Sequence, residues 1–136
     1  MTFQINYLAI LVVAIINMAV GFVWYGPLFG KTWMKLVGKT EKDIAGQKDK
    51  MPMLYGMMFV TVLVFVYVMA HFVQVGAATT YVAGAQVGFW AWLGFVATTT
   101  MGQFIFSGKP MKLYYLENGH HLVNFLLTGA LLAVWR

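Results

Sequence analysis

The chain contains no cysteine, three prolines and four carboxylates among its 136 residues. Without cysteine it has no disulfide, no thiolate metal site and no cysteine nucleophile. Charge is scarce too: 10% of residues are charged, against about a quarter in an ordinary soluble domain. No charged side chain occurs from Met1 to Gly30, across the 58 residues from Met51 to Gly108, or from Asn118 to Trp135. A globule of this length has too little interior to hide such runs, which points to the bilayer as the principal solvent. The net charge of +5 comes mainly from lysines in two short segments, not from a basic face interleaved with aromatics, and this argues against a nucleic-acid reader. No positive segment precedes the first apolar run, so it reads as a retained helix and not a cleavable signal peptide.

What the chain does have is long apolar stretches, which 61% of its residues build. A bilayer-crossing helix needs about 20 such residues. Four stretches qualify, at about 5–24, 53–75, 82–106 and 119–135, the last of them barely long enough. The break between the second and third falls at Gly76-Ala-Ala-Thr-Thr. The expected fold is therefore all-α: a single polytopic domain of four transmembrane helices, with loops at 25–52 and 107–118. Lys31, Lys35, Lys39, Lys42, Lys48 and Lys50 occupy the first loop and Lys109 and Lys112 the third, while Arg136 stands alone on the opposite side. Positive residues resist translocation, so both loops are expected in the cytoplasm and both termini outside, in the inner (plasma) membrane.

Pro27, the helical spacing of Phe29, Trp33 and Leu36 or Val37, and a stop at Gly38 predict a short amphipathic helix on the cytoplasmic surface. In that reading Lys31 and Lys35 face headgroups and Phe29 and Trp33 dip into the acyl boundary. Thr40-Glu-Lys-Asp43 has the form of a capping box. Trp24, Tyr25, Trp33, Tyr55, Tyr114 and Tyr115 fall near one boundary and Tyr7, Tyr81 and Trp135 near the other, as aromatic belts do.

The stretch Asn17-Met-Ala-Val-Gly21-Phe-Val-Trp24-Tyr25-Gly-Pro27-Leu-Phe29-Gly30-Lys31-Thr-Trp33-Met-Lys35, with Trp92-Leu-Gly-Phe-Val-Ala97 further on, resembles the small four-helix membrane proteins called domain of unknown function 1761. The resemblance implies a compact bacterial-type membrane domain without an assigned activity, and it adds no catalytic residue.

Polar groups inside apolar helices are costly and therefore informative. His120, Asn124 and Thr128 recur at i, i+4 and i+8 on one face of the fourth helix, and Asn17 and the Thr98-Thr99-Thr100 run with Gln103 reach comparable depth. Together they predict a polar vestibule in the inner half of the bilayer that accepts a lipid headgroup or small amphiphile. Trp24 and Tyr25 would supply its apolar wall, and Lys31 and Lys35 an electrostatic attraction. The plain alternative is interhelical hydrogen bonding.

No metal site or cofactor is expected. His71 lies near the far end of the second helix from His120 and His121, about 28 Å of rise away, and Met53 and Met57 read as packing residues. Every acid, Glu41, Asp43, Asp49 and Glu117, falls in or beside a loop, which counts against a proton-coupled cation antiporter. Glu117 and His120 at i, i+3 form the one acid/base couple open to an intramembrane enzyme, and Glu117 equally suits the start of the fourth helix. Finally, Gly84, Gly88, Ala91, Gly94, Thr98 and Gly102 form a small-residue stripe along the third helix, where helix one or a second copy of the chain would pack closely. That stripe carries the second functional expectation, a structural or accessory subunit acting as a homo-oligomer.

Overall fold

A computed structural model describes residues 2–135, and among these every regular element is helical. Helix α1 (Tyr7–Val23) starts where the Asn6 side chain accepts from the Ala9 amide at 3.1 Å. It runs directly into a π-helical turn, Trp24–Leu28, that contains Pro27. Proline has no N–H and crowds the preceding turn, and a widened turn accommodates both defects. Pro27 thus closes the first helix instead of opening the next, contrary to the sequence expectation. Helix α2 (Gly30–Val37) follows, and a Cβ on Gly30 would lie 2.6 Å from the Tyr25 carbonyl oxygen, a contact only glycine avoids. Gly38 stops α2 with φ +74°.

The capping box forms as its sequence indicates: Asp43 accepts from the Thr40 amide at 2.9 Å, and the Asp43 amide donates to the Thr40 hydroxyl at 3.2 Å, opening α3 (Glu41–Ala45). The Thr40 amide and hydroxyl, both donating to the Asp43 carboxylate, hold it below its ordinary range. After a 3-10 turn, α4 (Met51–Val75) carries Pro52 in its first turn, where no N–H is missed.

Residues 81–107 form one rod in three parts: α5 (Tyr81–Trp92), a second π-helical turn (Leu93–Ala97) and α6 (Thr98–Ser107). This turn has no proline. Its carbonyls are instead covered by hydroxyls: Thr98 donates to Gly94 O at 2.8 Å, Thr99 to Phe95 O at 2.7 Å, Thr100 to Val96 O at 2.7 Å and Tyr114 to Ala97 O at 2.6 Å. Side chains that bond back into a helix ladder are a recognised cause of such distortion. The threonine run therefore serves the bulge and not a vestibule, and Gln103 is exposed. Because the Tyr114 bond is buried, Tyr114→Phe should cost about 1–2 kcal/mol by orphaning the Ala97 carbonyl. Thermal unfolding in detergent, with no shift, would remove that role for the hydroxyl.

Helix α7 (Met111–Val134) begins eight residues before the expected 119, and the expected loop at 107–118 contracts to a turn around Gly108 and Pro110. Hydropathy reads Lys112 to Asn118 as loop because it cannot see that Leu113, Tyr114, Leu116 and Asn118 are buried. The early start also changes the fate of α2: Trp33, Leu36 and Val37 pack against Phe104, Leu113 and Tyr114, so its apolar face covers the protein's own helices instead of lipid.

Helix α7 is central, touching α1, α4 and α5. Its closest approach is to α5, where Gly84 and Gly88 meet the backbone of Gly129 and Phe125. The small-residue stripe therefore finds its partner in the fourth helix, not the first. Only its first half is used. Ala91 is buried, but Gly94 and Thr98 are exposed, and a Cβ on Gly94 or Gly102 would meet nothing. The π turn inserts about one residue, which rotates the rest of the rod by about 100° and takes Thr98 off the face that Gly84 and Gly88 share, while Ala97 is buried.

Two segments, Tyr7–Leu28 and Lys48–Val75, are long and apolar enough to cross a bilayer. The basic segments around α2 and Pro110 lie at one end of the bundle, since α2 packs on the first turn of α7. Residues near both chain ends lie at the other: Gln4 bonds Gln74, and Gln4, Gln74 and Trp135 line one small cleft. Arg136, the lone positive residue assigned to that side, lies outside the described residues.

Candidate functional site

Four polar residues lie where α1 meets α7, and one hydrogen bond among them crosses from helix to helix. Residues spaced by four turn about 40° relative to one another on a helix, so His120, Asn124 and Thr128 keep one face toward α1. They are buried, with 6%, 9% and 0% of their surface exposed, and Asn17 opposite them keeps 2%. The Asn17 amide donates to Thr128 Oγ1 at 2.8 Å and to the Val13 carbonyl at 2.9 Å. The Asn124 amide and His120 Nε2 form a second pair at 3.2 Å.

These bonds do not exhaust the cluster. Asn17 Oδ1, Asn124 Oδ1 and His120 Nδ1 are buried without a partner. Asn17 and Asn124, with His120, line a cavity of about 380 Å³ whose remaining wall is largely apolar. Met18, Gly21 and Phe22 come from α1, Tyr25 and Gly26 from its terminal π turn, and Tyr55, Met58 and Val62 from α4. Among the described residues, no charged side chain lines it.

Trp24 and Tyr25 take different positions. The Tyr25 ring lies edge-on to His120 at 5.0 Å and forms part of the wall. Trp24 stands behind the imidazole, 6.0 Å away, with its indole N–H donating to the Leu116 carbonyl at 3.1 Å. Lys31 lines an adjoining groove that shares Tyr25 and Gly26 with the cavity, and Lys35 is exposed; neither lysine is among the residues that line the cavity itself. Glu117 lies in the second turn of α7, beyond any capping role, and its carboxylate takes the Trp33 indole N–H at a long 3.4 Å rather than bonding His120. His71 is remote, in edge-on contact with Phe3 and Tyr67 at the opposite end.

A second polar cluster escaped the sequence reading. Thr100 donates to Asn118 Oδ1 at 3.1 Å, Asn118 Nδ2 to the Tyr114 carbonyl at 3.1 Å, and the Trp92 indole to the Asn118 carbonyl at 3.1 Å. The signal was available as Tyr114 and Asn118 at i, i+4, but only once α7 is known to extend through both. Asn118 and His120 are about 200° apart around the helix, so α7 carries two polar faces. One braces the bulge in the α5–α6 rod with its side-chain groups bonded. The other faces α1 and leaves three atoms unbonded beside a cavity. Buried polar groups in native proteins are overwhelmingly satisfied, and exceptions ask for an explanation.

No curated protein and no solved structure matches the chain. A family model described as protein of unknown function (DUF1761) matches residues 8–133, nearly its whole length. The chain belongs to the DUF1761 family of proteins of unknown function.

Proposed function

We propose that this protein is a four-helix membrane module that binds a small amphiphile in the cavity between α1, α4 and α7. Only 28% and 22% of the most apolar windows of its two long helices are buried. A core helix of a soluble protein would be mostly covered. Exposed Val82, Trp90, Phe95 and Ile105 extend the same apolar surface onto the α5–α6 rod, which supports four crossings. With the lysine-bearing end in the cytoplasm, both ends of the chain face outward.

The observation that carries the binding reading is the trio of unpartnered atoms at Asn17, Asn124 and His120. A purely structural cluster would close on itself, as the Asn118 cluster does. A concave, mostly apolar site with a few convergent polar groups is the usual form of a small-molecule site.

Filling the cavity tests this. A Cβ on Gly21 would sit 3.6 Å from His120 Nε2, an ordinary contact, so Gly21→Leu extends into the cavity without moving α1. It should match or exceed the parent in stability by up to about 1 kcal/mol, since leucine favours a helix over glycine. A photoactivatable alkyl diazirine should label the peptides of the buried wall residues Val62 and Asn124 in the parent and much less in the variant. Equal labelling of those peptides in both proteins would defeat the proposal.

A further inference from the structure

The chemistry of the ligand can be read one step further, resting on the binding reading above. The Asn17 amide is fixed in orientation, because its nitrogen donates to the Val13 carbonyl, which can only accept. Its free oxygen therefore requires a donor. The Asn124–His120 pair uses one donor and one acceptor between the two side chains, and whichever way it is arranged, one of each remains. A complementary head must donate at least two hydrogen bonds and accept one. A carboxylate or a phosphodiester donates none and would bring a charge into a chamber lined by no cation. A quaternary ammonium donates none either. Adjacent hydroxyls on a neutral head meet all three requirements.

The path of the tail is also marked. Met18, Phe22 and Tyr55 line both the chamber and a neighbouring open groove between α1 and α4, of about 430 Å³. The groove continues past Ile15, Ala19, Gly56 and Phe59 with an almost wholly apolar lining, and Ala19 and Gly56 leave its width free of bulky side chains. The rings of Phe22 and Tyr55, 5.2 Å apart and edge-on, form the threshold between the two spaces. We infer that the site takes a neutral, hydroxyl-headed lipid with a single acyl chain, of the monoacylglycerol class. Its head meets Asn17, Asn124 and His120, and its chain lies in the α1–α4 groove.

Native mass spectrometry of the full chain, released from nanodiscs doped equally with 1-monoolein, 1,2-dioleoylglycerol, oleic acid or lysophosphatidylcholine, tests this. One monoolein per chain should survive, with each other lipid retained at about a tenth of that level or less, the loss expected when a buried hydrogen-bonding group goes unmatched. Ala19→Trp and Gly56→Leu, both at exposed positions on the groove, should lower monoolein retention by about tenfold, by analogy with a lost buried contact. Thr99→Val, remote from cavity and groove, should leave retention unchanged. Equal retention of oleic acid overturns the assignment of the head while sparing the binding reading. Preference for dioleoylglycerol, or full retention by both groove variants, overturns the single-chain path. Retention of none of the four lipids, leaving the three polar atoms to water alone, overturns both this inference and the binding reading.

Discussion

Gly88→Ala is expected to destabilise the protein by about 3 kcal/mol, at the top of the range for overpacked sites. A Cβ there would collide with the Phe125 carbonyl, and one on Gly84 would collide with the Gly129 carbonyl and lie 2.6 Å from Ala133 Cβ. Helix backbone cannot rotate aside as a side chain can. α5 would have to lift away from α7 along their whole contact, exposing Ala91, Leu132 and Ala133, which that contact helps to bury. Gly94→Ala and Gly102→Ala provide the contrast. With nothing near the added methyl group, each should be neutral or stabilising by up to about 1 kcal/mol. Unfolding in mixed micelles followed by circular dichroism separates the two groups, and equal stability of Gly84→Ala, Gly88→Ala, Gly94→Ala and Gly102→Ala would disprove the close α5–α7 approach.

The double substitution His120→Phe with Asn124→Leu should leave stability near that of the parent while lowering retention of a bound amphiphile about a hundredfold, taking about tenfold for each polar partner lost. The singles should behave differently. His120→Phe strands the Asn124 amide, and Asn124→Leu strands His120 Nε2, each at a cost of about 1–3 kcal/mol in a buried setting. Together the two changes remove every polar atom of the pair, including both of its unpartnered ones, and replace them with apolar groups in a largely apolar chamber. A double variant as unstable as the sum of the singles would mean no coupling between the two side chains, each supporting the fold through contacts of its own, and would defeat the prediction. A thermodynamic cycle on the four proteins reads that coupling directly.

The two variants divide the molecule as its polar faces do. Toward α5 and α6, α7 offers Tyr114 and Asn118, whose partners sit on a helix distorted to receive them. Toward α1 it offers His120 and Asn124, which line the cavity and each keep one buried polar atom without a partner. A helix with both has one side committed to assembly and one available for a ligand.

Relations within a single helix were legible from the order of residues, because each step turns the backbone by a fixed angle. His120, Asn124 and Thr128 share a face, Thr40 and Asp43 close a cap, Gly38 ends a helix, and the long apolar runs form helices. Relations between helices were not legible. The bulge at Leu93–Ala97 depends on Tyr114 reaching across from α7, and it turned Gly94, Thr98 and Gly102 off the stripe that regular spacing gives them. The early start of α7 depends on α2 and α6 covering Leu113 and Tyr114. Lys31 and Lys35 follow shortly after the cavity residue Tyr25 along the chain, yet neither borders the cavity. Local periodicity decides which side chains travel together. Whether they meet a partner, a neighbour's backbone or empty space is set by how closely the helices approach, and that distance is a property of the packed bundle as a whole.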